Sequence, residues 1–150
     1  MQNILVPIDL AQEGSWDEVL HQAVDFARNG GTLHLLAVVP ELSAAGLPSP
    51  NDFGVEVPSL AEYNAKVKEV AGKRLDSMIK DDVPGGTKTS TMVVTGHIHR
   101  EILKAAEEVK ADMIVMGARP PSLTSYFLGI TAERVAHQAD CSVCIVRPKR

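Results

Sequence analysis

Residues 3–8, which read Asn-Ile-Leu-Val-Pro-Ile, form a nearly unbroken apolar run that ends at the carboxylate of Asp9. A strand with one face in water alternates apolar and polar side chains, whereas a strand covered by helices on both faces is apolar throughout. Three later runs, at 32–39, 113–116 and 142–146, have the same continuous character. The pattern therefore predicts a parallel sheet buried between two layers of helices.

Segments of helical period separate the apolar runs, and this alternation is typical of β-α-β units. A further strand is predicted at 88–94, which brings the predicted sheet to five strands. Capping boxes at Ser15 to Glu18 and Ser59 to Glu62 predict the starts of the first two helices, which end before the glycine turns at 29–31 and 84–86. Two more helices are predicted at about 99–110 and 131–139. We expect one α/β domain over 1–150, an open Rossmann-like sheet with helices on both faces.

The second predicted helix is longer than the first and has an apolar stripe along one side. A stripe at helical spacing is expected to face the sheet. Its predicted inward residues are Leu60, Tyr63, Val67, Val70, Ala71, Leu75, Met78 and Ile79.

Length and charge narrow the function classes. At 150 residues with 45% apolar content, the chain can bury one core but is too short for two ordinary domains. A net charge of −4 offers no positive field to nucleic acid or to an anionic membrane. No run approaches the roughly 20 apolar residues that span a bilayer, and the first residues read as a strand rather than a leader. We expect a cytoplasmic protein.

Residues 40–58 do not fit this regular pattern, since they carry four prolines, two glycines and no periodicity. The segment is longer than ordinary β-α connections, and we expect a loop there. It is either an inert insertion or a lid or partner surface.

Cys141 and Cys144 form a C-x-x-C pair that could indicate metal or redox chemistry. They lie in or beside a predicted strand, where residues three apart point to opposite faces. We therefore expect reduced structural thiols. His97 and His99 have no third ligand nearby in the sequence, so no metal site is predicted.

Two strand ends carry residues suited to an anionic ligand. Ligands of open parallel sheets collect beyond the carboxyl ends of the strands, where the strand order reverses. Asp9 follows the first strand and could accept hydrogen bonds from a ribose hydroxyl or an exocyclic amine. Gly117 and Arg119 follow the fourth, and 129–131 open the last helix, whose first amides could meet a phosphate. The alternative is ordinary turn and cap chemistry at these positions.

Five blocks of the chain together resemble the universal stress protein family. They are 4–9, Val93 to Gly96 leading into Ile102 and Leu103, 111–117, 129–135 and 141–146. The resemblance implies a sheet order of 3-2-1-4-5, related to the adenine nucleotide alpha hydrolases, and a homodimer joined through the last strand, Ser142 to Val146. The loop at 119–129 is similar to that of the F/G-like branch, whose members bind ATP without the full glycine pattern.

Nucleotide-binding members of the family carry the pattern Gly, two residues, Gly, nine residues, then Gly and Ser or Thr. Gly117 and Gly129 match its ends, but Pro120 replaces the middle glycine, Ile130 replaces the hydroxyl residue and the loop is one residue shorter. Ser122, Thr124 and Ser125 could supply replacement hydroxyls. The site implied by the resemblance comprises Pro7, Ile8, Asp9, Val38, Met116, Gly117, Arg119, Ser122, Thr124, Gly129, Ile130 and Thr131.

The resemblance implies an ATP-binding regulatory dimer whose occupancy reports stress to a protein partner. It leaves open Mg²⁺, slow ATP hydrolysis and autophosphorylation, and no general base is evident in the sequence. The alternative is a family member that binds no nucleotide and acts through protein contacts. A dedicated nucleotidyl enzyme is disfavoured, because the glycine-rich loop after the first strand that such chemistry uses is missing.

Overall fold

A computed structural model describes residues 2–10, 16–39, 59–118 and 129–147. Its strands are β1 (Asn3–Pro7), β2 (Thr32–Val39), β3 (Lys88–Thr95), β4 (Met113–Gly117) and β5 (Ser142–Val146). The helices of these ranges are α1 (Asp17–Phe26), α2 (Leu60–Asp82), α3 (Ile98–Glu108) and α4 (Ile130–Gln138). Each predicted strand is present within one residue of its expected bounds. The predicted loop at 40–58, Ser15, and the site residues Arg119, Ser122 and Thr124 lie outside the described residues.

The five strands form one parallel sheet in the order β3-β2-β1-β4-β5, as expected. β1 is central, and its Leu5 pairs with His34 of β2 on one side and with Ile114 of β4 on the other. The chain winds outward from β1 to β3, then crosses back to β4 and continues to β5. The strand order therefore reverses between β1 and β4, which is where open α/β sheets form their ligand crevice.

The sheet is buried on both faces, which explains its continuous apolar strands. Ile4, Leu5 and Val6 of β1 are all 0% exposed, although successive side chains point to opposite sides. Ile4 and Val6 join the core formed with α1 and α2, whereas Leu5 joins the core formed with α3 and α4. Each such side chain stabilises the fold by about 1.5–3 kcal/mol.

The two predicted capping boxes differ in outcome. Ser59 is the N-cap of α2, and its hydroxyl accepts a hydrogen bond of 3.2 Å from the amide of Glu62. α1 begins at Asp17, one residue later than a Ser15 cap implies, with Trp16 at the N-cap position and no side-chain capping bond. Asp17 and Glu18 lie in its first turn, where negative charge interacts favourably with the helix dipole.

The predicted inward stripe of α2 is wrong at two positions, Tyr63 and Val70. Ala71, Leu75 and Met78 are buried, but Tyr63 and Val70 are 40% and 46% exposed. A helix of 23 residues is about 35 Å long, whereas the eight-residue strands β2 and β3 are about 26 Å long. This difference equals about six residues of helix, so the first turns of α2, which include Tyr63, extend past the sheet.

The two cysteines lie on opposite sides of the sheet, as predicted. Cys144 packs against the α1 and α2 core, and Cys141 against the α3 and α4 core. Both are free. Burial raises the pKa of the Cys141 thiol, which favours its neutral form.

Across the described ranges, no helix combines the length and the apolar character needed to cross a membrane.

Candidate functional site

A cavity of about 520 Å³ lies at the carboxyl ends of β1, β2 and β4, at the point where the strand order reverses. Cavities of this size accept small molecules and cofactors. Every predicted site residue that the structure describes lines it, namely Pro7, Ile8, Asp9, Val38, Met116, Gly117, Gly129, Ile130 and Thr131. The structure thus brings together three strand ends and one helix start, although Pro7 and Thr131 are more than 120 residues apart in the sequence.

The cavity also has walls that the sequence did not indicate. These residues are Trp16 and Val19 from the start of α1, Leu36 of β2, Ile98 and Ile102 of α3, Ala118 after β4, and Ala132 of α4. Neither Trp16 nor Ile102 is among the site residues expected from the sequence. A topological signal was available, because in β-α-β units each helix starts at the edge of the sheet where the preceding strand ends.

The floor of the cavity is fixed by backbone hydrogen bonds that extend the strand pairing. The amide of Ile8 donates to the carbonyl of Leu36 at 2.8 Å, and the amide of Ala118 donates to that of Val146 at 2.9 Å. Ile8 is buried, whereas Asp9, the next residue, is exposed. Asp9 therefore lies at the rim of the cavity, two residues beyond the end of β1.

The start of α4 presents its amide groups at the cavity wall. Gly129 is the N-cap, with φ of 96°, a conformation that favours glycine. The first amides of a helix have no partner within the helix, and the helix dipole makes this end partly positive. Thr131 is not the cap residue, and its side chain lines the cavity. This end of α4 is chemically suited to an anionic group.

The rim is apolar on the side of α3 and α4. Ile98 and Ile130, from the first turns of these helices, are 50% and 57% exposed, and both line the cavity. Asp9 is the only charged side chain among the lining residues that the structure describes. This arrangement fits a ligand with a substantial apolar or planar part.

The wall formed by Trp16 is tied to α2. Arg74 of α2 donates a hydrogen bond from Nη1 to the carbonyl of Leu10 at 3.0 Å. Its Cζ atom also lies over the indole of Trp16, 5.7 Å from the ring centroid. A single guanidinium thus contacts both described ends of the connection between β1 and α1.

The two histidines at the start of α3 lie beside a basic cluster. Partial desolvation lowers the pKa of His99, and the charges of Arg134, Arg100 and His97 act in the same direction. In the part of the chain that the structure describes, no three His, Cys, Asp or Glu side chains gather as metal ligands.

The family model described as the universal stress protein family matches residues 1–147. Universal stress protein G of Escherichia coli O157:H7 is 28% identical over 146 residues, which cover 97% of this chain and 99% of the relative. This relative agrees with the F/G-like branch indicated by the sequence.

Solved structures share the fold. Universal stress protein UspA from Lactobacillus plantarum is 25% identical, with a TM-score of 0.66 and 97% of each chain covered. A universal stress protein from Archaeoglobus fulgidus, solved in complex with dAMP, is 20% identical with a TM-score of 0.62, and 97% of each chain is covered.

Proposed function

Because the chain belongs to the universal stress protein family, we propose that it is an ATP-binding regulatory protein of the cytoplasmic stress response. The cavity at the switch point carries this proposal, since the residues expected to contact a nucleotide line one pocket of suitable size. The dAMP complex of the Archaeoglobus fulgidus relative supports an adenine nucleotide as the ligand class. Occupancy of the cavity would then be the signal that a protein partner reads.

In this proposal the two sides of the cavity bind different parts of the nucleotide. Val38 and Met116 pack against the base, and the carboxylate of Asp9 accepts hydrogen bonds from ribose hydroxyls or the exocyclic amine. The phosphates lie toward the first amides of α4, where the helix dipole favours negative charge. Ile130 contributes apolar contact where other nucleotide-binding members carry a hydroxyl.

Calorimetric titration of protein stripped of bound ligand tests the proposal, with ATP and Mg²⁺ compared with AMP. We expect saturable binding of about one ATP per chain near micromolar affinity, about −8 kcal/mol. The absence of heat, together with an unchanged melting temperature at high ATP concentration, would contradict nucleotide binding.

A matched pair of variants locates the site. Val38 lines the cavity, whereas Val39, the next residue of β2, packs on the opposite face of the sheet. Val38→Trp should fill the cavity and weaken ATP binding by at least about tenfold, a loss of roughly 1.4 kcal/mol. Val39→Trp adds the same bulk elsewhere and should leave ATP affinity within about twofold. Equal affinities in two folded variants would place the nucleotide outside this cavity.

We also propose that two copies pair through β5. The support is that β5 is an edge strand whose residues from Val143 to Val146 are only partly covered within one chain. An apolar edge strand with free backbone groups favours pairing with another chain.

A further inference from the structure

We propose that Trp16 is the aromatic contact that selects ligands with a planar base, and that Arg74 is the positioning residue that holds the indole at the cavity. The inference rests on the proposed function, since it names a contact within the same cavity.

The position of Trp16 in α1 is the first observation. N-cap positions favour Ser, Thr, Asp and Asn, whose side chains bond a free amide of the first turn. Trp16 occupies this position and makes no such bond. Its half-buried indole packs against the α1 and α2 core and also lines the cavity. A residue that breaks a local preference at the edge of a cavity is a candidate for ligand contact.

The second observation is the way in which Arg74 fixes the indole. Its guanidinium lies over the ring, 5.7 Å from the centroid, and bonds the Leu10 carbonyl at 3.0 Å. A cation above an indole face is attracted by the ring electrons, and the bond to Leu10 limits where the guanidinium can move. Arg74 comes from the buried half of α2, so the indole is oriented from a rigid element.

The third observation is the chemistry of the surrounding wall. Trp16 is the only aromatic side chain among the described lining residues, and the others near it, such as Val19 and Ile8, are aliphatic. Arg74 covers one face of the indole, so the surface that borders the cavity is the other face or an edge. An aromatic surface there favours a planar heteroaromatic ring over a sugar phosphate without a base, and it tolerates different bases because each has a π face.

Trp16 is the only tryptophan of the chain, so its emission reports directly on the cavity. Stripped full-length protein is titrated with AMP and, separately, with ribose 5-phosphate, which lacks the base. AMP should change the tryptophan emission saturably, with the same midpoint as the calorimetric titration with AMP. Ribose 5-phosphate should leave the emission unchanged. AMP binding by calorimetry with unchanged emission would overturn the role of Trp16 while nucleotide binding stands. Calorimetric binding of ATP without binding of AMP would overturn the role of Trp16, because both nucleotides carry the same base. The absence of calorimetric binding for both ATP and AMP would overturn both proposals.

Variants separate contact from folding. Trp16→Leu should weaken AMP binding by about tenfold or more, which is the effect of a lost base contact. The affinity for ribose 5-phosphate, measured by its competition with ATP, should be the same in Trp16→Leu and in the wild-type protein. Tyr63→Leu is the matched control, because Tyr63 is an exposed aromatic residue of α2 that does not line the cavity. Unchanged AMP affinity in a folded Trp16→Leu protein would overturn the inference. If Trp16→Leu fails to fold, the emission titration of the wild-type chain still tests whether Trp16 contacts the base.

Arg74 is tested by the same readouts. Arg74→Met should shift the emission of the ligand-free protein and weaken AMP binding several-fold, and Arg74→Lys should restore part of the affinity because it restores the cation. Arg28→Met is the control, since Arg28 pairs with Asp25 at the far end of α1. Arg74→Met could instead lose AMP affinity without a shift in emission and without rescue by Arg74→Lys. That result would show that Arg74 stabilises the fold but does not position the indole.

Discussion

Single residues at the amino ends of the strands fix the sheet on the side away from the cavity. The carboxylate of Asp112 accepts hydrogen bonds of 2.9 and 2.8 Å from the amides of Gln2 and Asn3. The Asn3 amide is the main cause of the lowered pKa of Asp112, and the Gln2 amide adds to it. His34 of β2 contacts Ser90 and Asn3 through its two ring nitrogens, at 2.6 and 3.1 Å. These polar contacts hold β1 in register at one edge and leave the opposite edge for the ligand.

Gly96 is the residue at which backbone conformation constrains the cavity wall. Its φ is 144°, and an added Cβ would lie 2.8 Å from Oε1 of Glu101. It precedes α3, which carries Ile98 and Ile102 of the wall. Gly96→Ala should lower the free energy of unfolding by about 1–3 kcal/mol, because a side chain is strained in this conformation.

Gly85→Ala is the matched control for Gly96→Ala in urea unfolding. Gly85 has no positive φ and open space around its Cα. Its replacement should be neutral or should stabilise by about 0.4–1 kcal/mol, because alanine restricts the unfolded chain. Equal effects of the two substitutions would refute the assignment of strain to Gly96.

At the scale of elements, α2 has two halves with different roles. Its first half carries the exposed Tyr63 and Val70, and its second half is anchored by Ala71, Leu75 and Met78. Arg74, which reaches the cavity wall, lies in the anchored half. The start of the helix therefore depends on its cap, whereas the position of Arg74 depends on core packing.

This division predicts the effect of removing the cap. Ser59→Ala should lower the free energy of unfolding by about 1 kcal/mol, because the amide of Glu62 loses its acceptor. AMP affinity should stay within about twofold, because the loss is confined to the first turn. Urea unfolding and calorimetry of Ser59→Ala are compared with Ser77→Ala, an exposed position within the helix whose hydroxyl donates a long hydrogen bond of 3.5 Å to Asp81 rather than capping a backbone amide. Equal stabilities for these two variants would contradict the capping role.

At the scale of the whole molecule, the topology places the ligand cavity and the proposed pairing strand next to each other. β4 lies between β1, which Asp9 follows in the chain, and the edge strand β5. Ala118, at the cavity, bonds the carbonyl of Val146, the last residue of β5. Pairing of two chains through β5 would thus lie one strand away from the cavity.

The pairing is tested by the mass in solution. Light scattering should give twice the 16.1 kDa of one chain. Val143→Lys, on β5, should shift the mass toward that of one chain, because a charge on a paired apolar edge opposes association. Thr91→Lys places the same charge on the other edge strand, β3, and should leave the mass unchanged. A wild-type mass of one chain over the whole concentration range would exclude the dimer.

Local sequence patterns were enough to predict the elements, the α/β fold class and the edge of the sheet where the cavity lies. Continuous apolar runs and helical periodicity are local patterns, and the carboxyl ends of parallel strands meet at one edge. For this reason the local patterns alone are enough to place Asp9, Gly117 and Gly129 at one edge of the sheet.

Which helices complete the cavity, and which contacts hold them there, follows only from the packing of the folded chain. Arg74 and Leu10 are 64 residues apart in sequence, and nothing in the local pattern around either residue indicates the other. Tyr63 and Val70 likewise have the spacing of a buried stripe, yet they are exposed. Such contacts depend on where each helix lies against the sheet, and that placement follows from the packing of the whole core rather than from any one segment.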